Sequence, residues 1–399
     1  MNIVYHHRTQ GTGAEGVHIG HVIKGLRTIG HDVKVISPNN EDPTKTGGNN
    51  PYESKQSVKA KALHLLSRKL PQALFELLEI LYNLTAIRQL KKAVSESNVD
   101  FIYERNAFFL YAGAKISKKY AIPLIIEVNE VVGESRVRGQ KFVKLAQKIE
   151  KYAFEQADAI IVVSNFLKQK IANLGVSEAK IHVIPNAADE SIFAPDNCDN
   201  SVRDSLAVED TSIIIGFIGW FVAWHNFELL VNAIAILNRS HPTYLMLVGD
   251  GELKHAIIDQ AKQLGCEQRL IFSGAVKHKE MPNYIQAMDI CVIPGSNPYR
   301  SPIKLFEYMA MAKPTLAPAL EPIEFVSQHE VNAMHFEPEN LDSLVAQAEK
   351  LADSKELRDE IGTNARNTIM SKHLWIHNSE RVIDIYNAIV TQKRSSHPE

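Results

Sequence analysis

Two separate series of strand and helix signals run along this chain, with a polar stretch between them. In the first, Ile3-Val4-Tyr5 reads as a strand and Val17, Val22, Leu26 and Ile29 mark a helix that Gly30-His31-Asp32 ends. Further strands are expected over residues 33–36, 100–103, 123–128, 157–163 and 180–184. Residues 191–210 are polar, with Pro195, Asn197, Asp199 and Asn200, and read as a linker. The alternation then starts afresh: strands over 213–219, 244–248, 269–272 and 289–294, and helices over 227–237, 253–264, 281–287, 341–357 and 380–391. Such alternation predicts a parallel sheet covered by helices on both faces, and two series predict two doubly wound α/β lobes facing a cleft. The expected domains are 1–190, a linker at 191–210, 211–375, and a terminal segment at 376–399. A length of 399 residues suits two such lobes better than one core.

Charge narrows the function classes. The formal net charge is -2, so nothing draws the chain to nucleic acid in general, and any phosphate must be bound locally. Cys198, Cys266 and Cys291 lie far apart without metal-ligand spacing, which predicts a reducing compartment and no disulfide framework. Residues 1–5 run straight into a strand without the head of a signal peptide, and no apolar run is long enough to span a bilayer. A cytoplasmic location is expected, with the inner face of the membrane as one setting.

The stretch 295–314, GSNPYRSPIKLFEYMAMAKP, carries the most chemistry. It follows a buried strand and opens a helix, so Tyr299, Arg300, Ser301 and Lys304 fall where a helix N-terminus presents free N–H groups to an anion. Glu307 would repel that anion unless it accepts hydrogen bonds from hydroxyls, which points to a nucleotide sugar. A surface Glu on an ordinary amphipathic helix is the other reading of the segment alone.

SPIKLFEYMA followed by KP resembles the donor segment of the retaining, GT-B-fold glycosyltransferases of family four, the bacterial group 1 type. The resemblance implies that Glu307 grips the ribose. It extends over nearly the whole chain, with motifs in family order. Gly13, Glu15, Gly16 and His18 fall on the loop that faces donor diphosphate and acceptor, Glu15, Gly16 and His18 being taken as acceptor-binding. YERN and IIEVN resemble segments around the active site and make Arg105, Glu127 and Asn129 catalytic candidates with Lys304. Gly249 and Asp250 stand in the family G-D-G turn, and Val276 in the loop whose backbone reads the base. The terminal helix is expected to cross back onto the first lobe.

This chain departs from the family at several places. Trp220 and His225-Asn226 replace an Arg and a Lys-Gly that reach the diphosphate, Tyr299 replaces the first Glu of the paired-Glu motif, and Ala187 replaces a Gly. With no Asp-x-Asp motif, diphosphate charge is expected to be met by Lys304, Arg300, His225 and backbone dipoles, without a metal or other cofactor. The expected function is transfer of a sugar from a nucleotide-diphosphate sugar to a hydroxyl of a glycan, lipid-linked or small-molecule acceptor, as in polysaccharide biosynthesis. The alternative is a catalytically silent GT-B subunit that binds a partner enzyme or glycan.

Residues 54–94 are leucine-rich and basic, with Lys55, Lys59, Lys61, Arg68 and Lys69. Such a helix suits an anionic membrane surface, or a core-facing helix with a solvated basic side, and Glu76 and Glu79 interrupt its basic character.

Overall fold

The computed structural model describes residues 1–9, 13–38, 42–44, 71–134, 139–206, 208–209, 211–238 and 240–396. The chain divides into two compact units, Met1–Ile184 with Trp375–Glu399, and Pro185–Leu374. Each holds a six-stranded parallel sheet.

The first unit contains β1 (Asn2–His6), α1 (Gly13–Thr28), β2 (Asp32–Ile36), α2 (Gln72–Glu96), β3 (Phe101–Arg105), α3 (Ala112–Tyr120), β4 (Leu124–Val128), α4 (Val143–Gln156), β5 (Ala159–Val162), α5 (Asn165–Ala172) and β6 (Ile181–Val183). Strands β3, β4 and β5 are buried at every residue, so their apolar residues show no polar alternation, and the charged residues that β3 and β4 carry, Glu104, Arg105 and Glu127, lie inside. The sheet order is β2-β1-β3-β4-β5-β6. Because the chain leaves β1 toward β2 and returns beside β1 at β3, the order reverses there. Beyond the carboxyl ends of strands at such a reversal, sheets of this kind hold their ligands. Ser164 caps α5 by accepting the Leu167 N–H at 3.3 Å.

The second unit contains α6 (Ser201–Asp204), β7 (Ile213–Ile218), α7 (Phe227–Leu237), β8 (Thr243–Val248), α8 (Lys254–Gln263), β9 (Leu270–Gly274), α9 (Met281–Ala287), β10 (Ile290–Val292), α10 (Ile303–Ala310), β11 (Thr315–Pro318), α11 (Glu321–Glu324), β12 (Met334–Phe336), α12 (Leu341–Asp353) and α13 (Lys355–Lys372). Its sheet order, β12-β11-β10-β7-β8-β9, reverses between β7 and β10. The loops after those two strands border this switch point, where sheets of this kind hold their ligands. Phe217, Phe221 and Phe227 pack edge to face or tilted beneath it, with centroids 4.9 to 6.4 Å apart.

Helix α14 (Trp375–Ser396) returns to the first unit and packs on α1. Trp375 meets His18 edge-on at 5.0 Å and stacks on His21 at 5.4 Å. Among the described residues no helix is long and apolar enough to cross a membrane.

Candidate functional site

In the first unit, the strand ends deliver their polar side chains to one carboxylate. Glu127, at the end of β4, is buried and accepts at Oε1 from His18 Nε2 (2.6 Å), Arg105 Nη1 (2.7 Å) and Asn129 Nδ2 (2.6 Å). Its Oε2 accepts from the Tyr103 hydroxyl at 2.9 Å. Burial alone would raise the Glu127 pKa, but His18 and Arg105 outweigh it and hold the carboxyl well below the usual range. An ionised carboxylate only accepts, so His18 carries its proton on Nε2. The structure thus brings His18, Arg105, Glu127 and Asn129 together. Asn129 turns back onto Glu127 instead of capping a helix.

Gly16 is buried and Glu15 is exposed in the first turn of α1, which Gly13 begins. Gly11 and Thr12, which precede α1 in the sequence, and residues 54–70 of the basic stretch lie outside the described residues. His7, just past β1, was not singled out in the sequence, although it stands between the first strand and α1. It is buried, and its Nε2 has no hydrogen-bond partner among the described residues. Burial, with His6 and Arg105 nearby, lowers its pKa to about 4, so it is neutral at neutral pH.

In the second unit, the loops after β7 and β10 meet through one imidazole. His225 Nδ1 lies 3.2 Å from the Gly295 carbonyl and Nε2 lies 3.3 Å from Lys304 Nζ. Burial and the Lys304 charge lower the His225 pKa to about 2, so the ring is neutral. A carbonyl only accepts, so Nδ1 carries the hydrogen and Nε2 accepts from the lysine. Lys304 as a residue is half-buried, yet its Nζ sits 3.8 Å from the Phe217 ring centroid, and desolvation pulls its pKa down to about 7. Gly219 leaves this space open, since a Cβ there would lie 2.9 Å from Lys304 Nζ.

One turn along α10, Glu307 is buried and its Oε1 lies 3.1 Å from His278 Nε2. His278 was also missed in the sequence, because its residue type in a short loop carries no signal until the loop is folded against α10. Arg300 lies over the rings of Trp224 (5.0 Å) and Tyr299 (5.6 Å), and Tyr299 is itself buried. Ser301 is buried and tied to Asn186: its Oγ accepts the Asn186 N–H at 3.0 Å and its carbonyl accepts from Asn186 Nδ2 at 2.6 Å. Gly249 adopts φ +138°, and a Cβ there would collide with the Gly219 carbonyl. Asp250 is exposed and takes the Gly251 N–H at 2.9 Å, Val276 is buried just beyond β9, and Trp220 is exposed. Ala187 is not among the residues with positive φ, so the loop with Ala in place of Gly follows an ordinary backbone path. Among the described residues no group of three or more His, Cys, Asp or Glu is placed to hold a metal ion.

The glycosyltransferase family 4 model matches residues 15–191, and the glycosyl transferases group 1 model matches residues 199–368. An uncharacterized glycosyltransferase of Methanocaldococcus jannaschii is 22% identical over 382 residues, 94% of each chain. Sucrose-phosphate synthase of Thermosynechococcus elongatus has a similar fold, with a TM-score of 0.74 at 15% identity over 98% of this chain and 100% of that one. HepE of Anabaena, solved in complex with UDP-glucose, gives a TM-score of 0.67 at 17% identity over 99% and 100% of the two chains. With one model matching each half and the GT-B architecture in both sheets, this chain belongs to the group 1, family four glycosyltransferases and is an enzyme of that class.

Proposed function

We propose that the enzyme is a retaining glycosyltransferase that takes its sugar from a nucleoside-diphosphate donor held by the second unit, and passes it to a hydroxyl acceptor without a metal ion. The observation that carries this reading is the placement of Lys304 and Glu307 one turn apart on α10, at the point where the sheet order reverses. A diphosphate leaving group needs a cation and N–H donors, which Lys304 and the start of α10 offer. A ribose offers hydroxyls to a carboxylate, and Glu307 is the buried carboxylate beside that cation. HepE, of similar fold, was solved with UDP-glucose, which supports a donor of this class.

In the proposed reaction the bond from the sugar to the leaving phosphate breaks as the bond from the acceptor oxygen forms on the same face. The leaving phosphate oxygen takes the acceptor proton, and Lys304 stabilises the charge left on the diphosphate. Arg300 and His225 assist Lys304, His225 as a neutral group that orients the lysine. Glu127, with its oxygens already occupied, holds His18, Arg105 and Asn129 in place and is not the proton acceptor. The first unit, with Gly13, Glu15, Gly16 and His18, is assigned to the acceptor, a glycan or lipid-linked hydroxyl. His7 adds to that set an Nε2 that has no partner among the described residues.

Thermal-shift and calorimetric titration with UDP, GDP, ADP, CDP and TDP and their sugars tests the reading on wild type, Lys304→Ala and Glu307→Ala. One base is expected to raise the wild-type melting temperature, with both substitutions abolishing the effect. Sugar transfer with that donor is expected to survive a chelator and to keep the anomeric configuration. If no nucleotide binds the folded wild type, or if a chelator stops transfer, the reading fails.

A further inference from the structure

One side of α2 is apolar and open to solvent. Leu74, Leu77, Leu78, Leu81 and Leu84 are 43%, 46%, 49%, 47% and 58% exposed. The opposite side buries Glu76, Asn83, Ala86, Leu90 and Ala93 against the unit. Positions 74, 77, 81 and 84, three and four residues apart, form one stripe along the helix, and the same spacing carries that stripe on to Arg88 and Lys91, both exposed.

The start of α4 continues this surface. Glu76 accepts the backbone N–H groups of Lys141 and Phe142, each at 2.7 Å, and Ile80 and Ala146 pack in one cluster, so the two helices meet along this edge. There Phe142 and Leu145 add exposed apolar area, 41% and 42%, beside exposed Lys141, Lys144 and Lys148. The two carboxylates that interrupt the basic character of this segment in the sequence are turned inward. Glu76 is 1% exposed, and Glu79 pairs with Arg8 at 2.6 Å. Among the described residues of α2, no exposed carboxylate lies between positions 73 and 92.

A contiguous exposed apolar face marks an interaction surface, whereas single exposed leucines do not. Here the face is bordered by lysine and arginine and, among the described residues, has no acid on it, the pattern of a helix that lies in the interface of an anionic bilayer. A second copy of this chain would set one basic border against another and be repelled. We propose that the α2 face, with Phe142, Leu145 and the α4 lysines, docks on an anionic lipid surface. The leucines enter the headgroup boundary while the basic side chains meet the lipid phosphates. This proposal is independent of the donor assignment.

Co-sedimentation with phosphatidylcholine vesicles, with and without phosphatidylglycerol, tests it on the full chain at low and high salt. Wild type is expected to pellet with the anionic vesicles, with release by salt and about tenfold weaker binding to pure phosphatidylcholine. The pairs Leu78→Glu with Leu81→Glu, and Lys141→Glu with Lys144→Glu, are each expected to lower binding about tenfold or more while melting at the wild-type temperature, since all four residues are exposed. Failure of wild type to pellet with anionic vesicles overturns the proposal. So does pelleting that both pairs leave unchanged, which would place the contact elsewhere, residues 45–70 included. A dimer that the leucine pair dissociates, without vesicle binding, assigns the face to a second copy instead.

Discussion

His278 Nε2 stands 3.1 Å from Glu307 Oε1, both side chains buried, so the carboxylate assigned to the nucleotide already holds a hydrogen-bond partner from the loop after β9. Burial by itself lowers the His278 pKa, but the hydrogen bond to Glu307, its charge and that of Asp189 outweigh burial and raise it. A histidine raised in the folded state stabilises fully below its unfolded pKa, about 6.5, and loses that contribution as pH rises through the folded value. Urea denaturation of wild type and His278→Gln is expected to show wild type more stable near pH 6, with the gap closing above neutrality. Nucleotide affinity of His278→Gln should fall about tenfold, as Glu307 loses the partner that orients it.

If Lys304 meets the donor diphosphate as proposed, donor binding is expected to weaken as pH rises through the lysine's own titration. With a pKa near 7 in the free protein, the ammonium is half-formed at neutral pH, and a bound diphosphate favours its charged form. Affinity for the nucleoside diphosphate is therefore expected to be greatest below pH 7 and to weaken about fivefold from pH 7 to 8, approaching tenfold per unit beyond. Calorimetry in buffers of different ionisation enthalpy should record proton uptake on binding. In Lys304→Met the affinity should be low and flat with pH. The same variant should melt no lower than wild type without ligand, since a crowded cation is replaced by a neutral chain of similar length.

Glu127 holds the first-unit cluster together through four side-chain donors. Glu127→Ala leaves Arg105 buried without its counter-charge and is expected to cost about 3–5 kcal/mol, read as a lowered urea midpoint, with Glu127→Gln costing less. Because the Glu127 pKa is depressed in the folded state, its contribution is present above the unfolded value of about 4.3 and is lost as pH falls through the folded one. The stability gap between wild type and Glu127→Gln should therefore shrink below about pH 4.

Ala312, just past the end of α10, sits at φ +54°, a conformation that glycine adopts without strain. Ala312→Gly is expected to stabilise the protein by about 0.5–1 kcal/mol and raise its melting temperature by a few degrees. Gly249→Ala should do the reverse by about 2–3 kcal/mol, since it adds strain at φ +138° and drives a methyl group into the Gly219 carbonyl.

The strand and helix alternation, the two series and the helix carrying Lys304 and Glu307 were legible in the residues alone, because buried parallel strands are rich in apolar residues and a helix must repeat at its own period. Local signals did not separate α13 (Lys355–Lys372) from the polar sequence around it. What only the tertiary structure decided was which charges meet. His18 and Glu127 are 109 positions apart, and His278 and Glu307 are 29 apart. No periodicity encodes such pairs, since strand order brings them together. Whether Glu76 and Glu79 face solvent or the interior follows from where α4 and Arg8 pack. The same holds for the charge states of His225, Lys304 and Glu127, since desolvation and Coulomb attraction depend on neighbours that exist only once the chain is folded.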